Sequence, residues 1–145
     1  MKITFLNGNT DNQGFDDYLQ RLVEALTNSG NQITNLILRD MDIRYCIGCF
    51  GCWVKTPGEC QAKDDSAAVC RQVINADWVV FASPLIMGFP SALLKKSMDK
   101  LIPLIHPYFI LDRGEVHHRK RYSRYPKFGL LVQLGENDEA EDIQI

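Results

Sequence analysis

Short apolar runs alternate along the chain with longer segments in which apolar residues recur every three or four positions. Residues 3–6 form a compact apolar and β-branched run that gives way at Asn7-Gly8 to the polar stretch Asn9-Thr10-Asp11-Asn12-Gln13-Gly14. This predicts a buried strand followed by a loop. Phe15, Tyr18, Leu19, Leu22, Val23 and Leu26 then follow at helical offsets, with Gly30 as the stop, so a helix is predicted over 15–29. Residues 33–38 predict a second strand, and the carboxylates of Asp64-Asp65 suit the start of a second helix over 64–75. Trp78-Val79-Val80-Phe81-Ala82 is apolar without alternation, the pattern of a central strand covered on both faces of a parallel sheet. Pro90 is placed in the first turn of a third helix that carries Leu94, Met98, Leu101 and Ile102 and is interrupted by Pro103. A long connection over 106–126 leads to a fourth strand, Phe128-Gly129-Leu130-Leu131-Val132.

Strands alternating with helices imply an α/β architecture with a parallel sheet and right-handed crossovers. No internal repeat or linker divides the chain, so residues 1–145 are expected to form a single domain. Beyond the fourth strand, Glu136-Asn137-Asp138-Glu139-Ala140-Glu141-Asp142-Ile143 has the look of an acidic first helical turn, and the sequence stops at Ile145. A doubly wound domain is therefore expected to be cut short at its C-terminus, either because the sequence is a fragment or a truncated form, or with the edge of the fourth strand covered by a partner subunit.

Charge narrows the partners. Sixteen basic against 18 acidic residues leave a net charge of −2, which argues against nucleic acid or an anionic membrane and favours small molecules or proteins. The N-terminus turns polar at once and carries neither a cleavage site nor an apolar span, so a cytoplasmic location is expected. Five cysteines there are not read as a disulfide framework, and metal binding or redox chemistry is the better reading.

Ligands of open parallel sheets bind beyond the carboxyl ends of the strands, where connections diverge. Two loops meet that description. The first, from Asn7 to Gly14, has no P-loop and no dinucleotide fingerprint, but Asn9, Thr10 and Asn12 offer amides and a hydroxyl ahead of a helix N-terminus, a cradle for a monophosphate. The same residues also make ordinary turns, and Asp11 would repel a phosphate if it pointed inward. The second, Ser83-Pro84-Leu85-Ile86-Met87-Gly88, combines a rigid proline, a permissive glycine and apolar side chains. It suits either the face of a flat aromatic ring or a plain strand-to-helix junction.

The strongest motif is Cys46-Ile47-Gly48-Cys49-Phe50-Gly51-Cys52 followed by Cys60, a C-x2-C-x2-C-x7-C spacing. Three cysteines at offsets of three wrap a loop around a body several ångströms across, and a fourth beyond Pro57-Gly58 closes it, as in [4Fe–4S] ligation. Zinc also accepts four cysteines, though its usual pattern is two separated pairs, and unmetallated thiols are the third alternative. Cys70 lies on the apolar stripe of the second helix and is expected to be a buried, inert thiol. Between Asp112 and Lys127, Arg113, Arg119, Lys120, Arg121 and Arg124 stand among His117, His118, Tyr122 and Tyr125. That concentration suits a nicotinamide phosphate, a neighbouring subunit or a solvated loop. No hydrolase motif occurs.

Taken together, Tyr45-Cys46-Ile47-Gly48-Cys49, the stretch from Cys52-Trp53 through Pro57-Gly58-Glu59-Cys60 to Asp64-Asp65, Ala82-Ser83-Pro84 with Met87-Gly88, and His117-His118 with Arg121-Tyr122 resemble the iron-sulfur flavoprotein and NAD(P)H-dependent FMN reductase branch of the flavodoxin superfamily. The resemblance implies a flavodoxin-like three-layer fold of strand order 2-1-3-4, FMN as cofactor, NAD(P)H as electron donor and assembly into homodimers or homotetramers. It implies Cys46, Cys49, Cys52 and Cys60 as ligands of a [4Fe–4S] cluster. Asn9, Thr10 and Asn12 would then contact the flavin phosphate, and Ser83, Pro84, Leu85, Ile86, Met87 and Gly88 the isoalloxazine. No side chain is expected to act as catalytic acid or base, since flavin chemistry belongs to the cofactor. Two readings compete: a non-enzymatic α/β module whose cysteine loop holds structural zinc or free thiols, and a flavin-free scaffold acting through oligomer contacts.

Overall fold

A computed structural model describes residues 1–11 and 14–135. Asn12 and the acidic stretch 136–143 lie outside the described residues. Four parallel strands make the main sheet: β1 (Lys2–Asn7), β2 (Gln32–Ile37), β3 (Trp78–Ile86) and, after a two-residue strand β4 (Phe89–Pro90) and a hairpin β5 (Ile105–Asp112) and β6 (Glu115–Lys120), β7 (Lys127–Gln133). The order is β2-β1-β3-β7, with Ile3 opposite both Ile33 and Trp78, and Trp78 opposite Lys127. This is the expected 2-1-3-4 order, β7 being the fourth strand. Helices α1 (Phe15–Asn28), α2 (Gly51–Val54), α3 (Ser66–Asn75) and α4 (Ala92–Asp99) complete the chain. Among the described residues no helix is long and apolar enough to cross a membrane.

The period-two geometry of the strands sends apolar side chains to both faces of the sheet. Ile3, Phe5, Val80 and Ala82 pack with Phe15 and Leu19 of α1 on one face. Leu6 and Val79 pack with Val69 and Val73 of α3 and Leu94 of α4 on the other. Leu6, Leu38, Val79 and Leu94 are completely buried, which makes this second cluster the deeper one.

Three expectations are corrected. Pro90 does not open the third helix: it pairs with Leu85 in β4, and Ser91 takes the N-cap by accepting a hydrogen bond from Leu94 N at 3.1 Å. Residues 83–86 are not loop but the continuation of β3, which doubles back into β4 through Met87-Gly88. Both turn residues have positive φ, 53° and 81°, the conformation that matches a two-residue turn to strand twist. The connection over 106–126 is largely the β5–β6 hairpin, turned by Arg113-Gly114 at φ 52° and 86°.

Candidate functional site

The two loops singled out in the sequence meet at the carboxyl ends of β1 and β3. Gly8 N donates to Ala82 O at 2.8 Å, and Ser91 Oγ donates to Gly8 O at 2.6 Å. Ser91 N in turn donates to Ser83 Oγ at 2.8 Å, so one residue ties both loops to the start of α4. The approach is close enough to require glycine, because a Cβ on Gly8 would lie 2.5 Å from Leu94 Cβ. The Ser83 hydroxyl donates to Pro84 O at 2.8 Å and faces into the fold. Pro84 and Leu85 are half-buried, whereas Ile86, Met87, Gly88 and Phe89 are exposed at the hairpin tip.

The loop after β1 is tied to Asp16 in the first turn of α1. Asn7 Nδ2 and Asn9 Nδ2 donate to Asp16 Oδ1 at 2.9 and 3.1 Å, and Arg39 Nη2 donates to Asp16 Oδ2 at 2.6 Å. Asn9 Nδ2 also lies 3.4 Å from Asp11 Oδ1, and Asn9 N donates to Asn7 Oδ1 at 2.9 Å. Burial would raise the pKa of Asp16, but the hydrogen bonds from Arg39, Asn7 and Asn9 outweigh it and hold the carboxyl below its ordinary value. Asn9 is buried with its amide directed at carboxylates, and Thr10 is exposed. Asp16 and Arg39 were not singled out in the sequence, where an acid in a first helical turn and an arginine after a strand are both commonplace.

The cysteine loop leaves β2 and is clamped to the start of α3. Asp42 N donates to Asp65 Oδ2 at 2.8 Å and Arg44 N to Asp64 Oδ2 at 3.0 Å, while Ser66 N donates to Asp64 Oδ1 at 3.0 Å. Asp64 thus accepts from the first amide of α3, which begins at Ser66 and not at 64, whereas Asp65 at the N-cap makes no side-chain cap bond and holds Asp42 N instead. Cys46, Cys49, Cys52 and Cys60 all line one cavity of about 470 Å³, walled also by Tyr45, Phe50, Ile102 and Lys100. All four are free thiols. Among the described residues no three Cys, His, Asp or Glu side chains converge tightly enough to hold one metal ion. Burial, followed by the neighbouring Cys60, pushes the Cys52 thiol up. Ile47 and Phe50, which stand between the cysteines, are exposed.

Lys100 is the residue in this region that the sequence did not reveal. Its side chain is 3% exposed, with Nζ donating to Asp64 Oδ2 at 3.1 Å and to Cys60 Sγ at 3.4 Å. Cys70 Sγ donates to Lys100 O at 3.3 Å, and its thiol is pushed up to about 12, chiefly by burial, in keeping with an inert core position. Trp53 joins the loop to the hairpin. Its Nε1 donates to Ile105 O at 3.0 Å, and its ring lies 5.4 Å from Phe50 and 5.3 Å from His118, which is 4.7 Å from Phe109.

The basic stretch is partly structural. Arg121 Nε donates to Pro103 O at 2.9 Å, and Arg124 Nη1 pairs with Asp77 Oδ1 at 2.6 Å. His118 Nδ1 lies 2.8 Å from His106 O, and His117 Nε2 lies 3.1 Å from Glu115 Oε2 on the hairpin surface.

Comparison with known proteins bears on the family and the fold. Residues 1–121 match the family described as NADPH-dependent FMN reductase. An iron-sulfur flavoprotein of Methanocaldococcus jannaschii is 31% identical over 105 residues, covering 72% of this chain and 53% of that protein. One from Archaeoglobus fulgidus is 33% identical over 88 residues, covering 61% and 39% respectively. The chain thus spans about half or less of the length of these curated relatives. Among solved structures, the FMN-dependent NADH-azoreductase from Bacillus anthracis in complex with FMN superimposes with a TM-score of 0.66 at 15% identity, covering 99% of this chain and 76% of that one, and shares the flavodoxin-like fold. With its parallel β2-β1-β3-β7 sheet and a match over residues 1–121, the chain belongs to the NADPH-dependent FMN reductase family.

Proposed function

We propose that this chain is the flavin-binding part of an oxidoreductase that passes electrons from NAD(P)H through FMN. The observation that carries this reading is the joining of the loops after β1 and within β3–β4 by Ser91, which builds a ledge at the carboxyl ends of the two central strands. When bound there, FMN supplies hydride and single-electron chemistry. Pro84, Leu85, Ile86, Met87 and Gly88 offer apolar side chains and main-chain groups to the isoalloxazine ring, and Ser83 holds the hairpin in place rather than reaching the ring. Asn9, Thr10 and Asn12 are assigned to the phosphate in this reading, and Asn9 is already bonded to Asp16.

The cysteine loop is read as the holder of a [4Fe–4S] cluster. Four thiols line one cavity, and their C-x2-C-x2-C-x7-C spacing suits a body several ångströms across better than the two separated pairs usual for zinc. Cys46, Cys49, Cys52 and Cys60 are the ligands in this reading, and the Lys100 ammonium donates to the Cys60 sulfur, the kind of hydrogen bond that tunes a cluster. The exposed apolar residues Tyr108, Phe109, Leu111 and Val116 of the hairpin support assembly into a homodimer or homotetramer, measurable by light scattering.

An absorption spectrum with metal analysis of protein purified without oxygen tests the whole reading. Flavin bands with iron near four per chain, and loss of the iron in Cys49→Ser, are expected. A colourless protein that stays colourless with added FMN overturns the flavin assignment, and bound zinc in place of iron overturns the cluster.

A further inference from the structure

We propose that Lys100 sets how readily the cysteine-loop cluster takes up an electron, because its buried ammonium donates to the Cys60 sulfur while Asp64 holds it in place. The inference rests on the cluster reading above, gives Cys60 a role of its own among the four thiols, and assigns opposite effects to the two members of one ion pair.

Burying an ammonium is costly unless it is paired and hydrogen-bonded. The Lys100 side chain is 3% exposed and that of Asp64 is completely buried, with Nζ 3.1 Å from Asp64 Oδ2. The backbone at this point is fixed as well: Lys100 N donates to Ser97 O at 3.1 Å at the end of α4, and Cys70 Sγ donates to Lys100 O at 3.3 Å. Asp64 does not give its whole charge to the lysine. The same carboxylate accepts from Arg44 N and Ser66 N, both at 3.0 Å, and from the Ser66 hydroxyl. The second acceptor of the ammonium is the Cys60 sulfur at 3.4 Å, on the wall of the cavity that all four thiols line. Arg44 on the same wall and Lys55 and Lys63 beside the loop are exposed, so salt screens their charges and leaves that of Lys100 in force.

Four thiolates make a cluster site negative, and reduction makes it more so. An N–H donated to a sulfur and a nearby positive charge both favour the reduced form, and both count for more where water is excluded. Lys100 supplies the two together at Cys60. Asp64 works against it, since its carboxylate fixes the ammonium but offsets part of its charge. The two partners of the pair therefore pull the potential in opposite directions. A pair that served only to hold the fold would not: loosening it from either side would admit water, which favours the more negative form both times. Reduction adds one electron and makes or breaks no bond; the donor is the reduced flavin of the reading above, and dithionite in the test.

The test measures the midpoint potential of anaerobically purified protein by electron paramagnetic resonance at low and at high salt, with iron determined on each sample. Lys100→Met keeps an unbranched apolar stem and removes the charge and the donor. It is expected to lower the ratio of reduced to oxidised form at a fixed potential by about tenfold or more, about 59 mV for one electron, and Asp64→Asn to raise it by about threefold or more. Both shifts should persist at high salt, since neither group meets solvent. An unchanged potential in Lys100→Met, a shift that high salt abolishes, or a shift of both variants in one direction overturns the inference and leaves the cluster reading intact. Native protein without iron overturns both. A measurement on the native protein decides the matter if the variants fail to fold or to hold iron: with the lysine side-chain nitrogens isotopically labelled, electron–nuclear double resonance of the reduced form should show a nitrogen coupling from Nζ, and its absence overturns the inference.

Discussion

The loop after β1 and the loop after β2 leave neighbouring strands of the same sheet, yet they end in opposite states. The first is polar, and its donors close on an acid from the next helix, so that Asn7, Asn9 and Arg39 are all bonded to Asp16. The second is rich in thiols and apolar side chains, which surround an open cavity of about 470 Å³. Its polar frame reaches the cavity wall, where Asp64 fixes Arg44 N, Ser66 and Lys100, and Lys100 donates to Cys60 Sγ at 3.4 Å. A loop whose amides bond an acid of the next helix is braced by that acid. One braced by Asp64 at the helix start keeps most of its thiols facing the cavity, with only Cys60 taken into the frame by Lys100.

The comparison can be broken most forcefully at Asp64. Its side chain is completely buried and accepts from Lys100 at 3.1 Å. Asp64→Ala would leave a buried ammonium without its carboxylate and free the start of the cysteine loop, at a cost of about 3–5 kcal/mol. Denaturant unfolding measures the loss, and Cys60 should react faster with a disulfide thiol reagent. A loss below about 1 kcal/mol would show that the frame does not depend on this acid.

The same carboxylate gives the region an acid limit. Burial would raise its pKa, yet the hydrogen bonds from Ser66, Arg44 N and Lys100 outweigh that and lower it from 3.8 to about 2. A depressed native pKa means stability that is complete above the unfolded value of 3.8 and is lost as pH falls through about 2. The shift is worth about 2 kcal/mol. Unfolding measured between pH 5 and 2 should show this slope, and Asp64→Asn should flatten it.

What was legible in the sequence follows the same division between groups that act alone and groups that act through a partner. The central strands β1 and β3 were readable because both their faces are covered, so Trp78 to Ala82 need no alternation. The four cysteines were readable from spacing, which a single cavity then satisfies. The β5–β6 hairpin was missed because its apolar residues, Tyr108 to Leu111, are exposed and its basic residues resemble a solvated loop. Its signal was the Arg113-Gly114 turn. Lys100 was missed because a lysine after a helix reads as solvent-facing, and only its meeting with Asp64, 36 residues away, explains its burial. Asp16 was missed for the same reason, since its role is fixed by Arg39, 23 residues on.

Gly8 sharpens the comparison from the other side. A Cβ there would lie 2.5 Å from Leu94 Cβ and 3.0 Å from Ser91 Oγ, so Gly8→Ala must push α4 away from β1. Overpacking of this kind costs about 1–3 kcal/mol. Flavin affinity should fall with it, because Ser91 holds both loops. Thiol reactivity at Cys46 and Cys49 should stay unchanged, and a parallel rise there would show that the two loops form a single unit.

Trp53 makes the finest cut, within the cysteine region itself. Its Nε1 donates to Ile105 O at 3.0 Å and lies 3.3 Å from Ile102 O, and its ring joins Phe50 to His118. Trp53→Phe keeps an aromatic face in that column and removes only the N–H and part of the ring. The Ile105 carbonyl retains a partner in Arg121 Nη2 at 3.4 Å, so no acceptor is stranded there. The loss should therefore stay near the ordinary value of a hydrogen bond, about 0.5–1.5 kcal/mol. It should appear as faster hydrogen exchange across β5 and β6, with β1 and the Asp16 network unaffected. Exchange that rises equally in β1 would mean that the aromatic column braces the sheet and not merely the hairpin over the cysteine cavity.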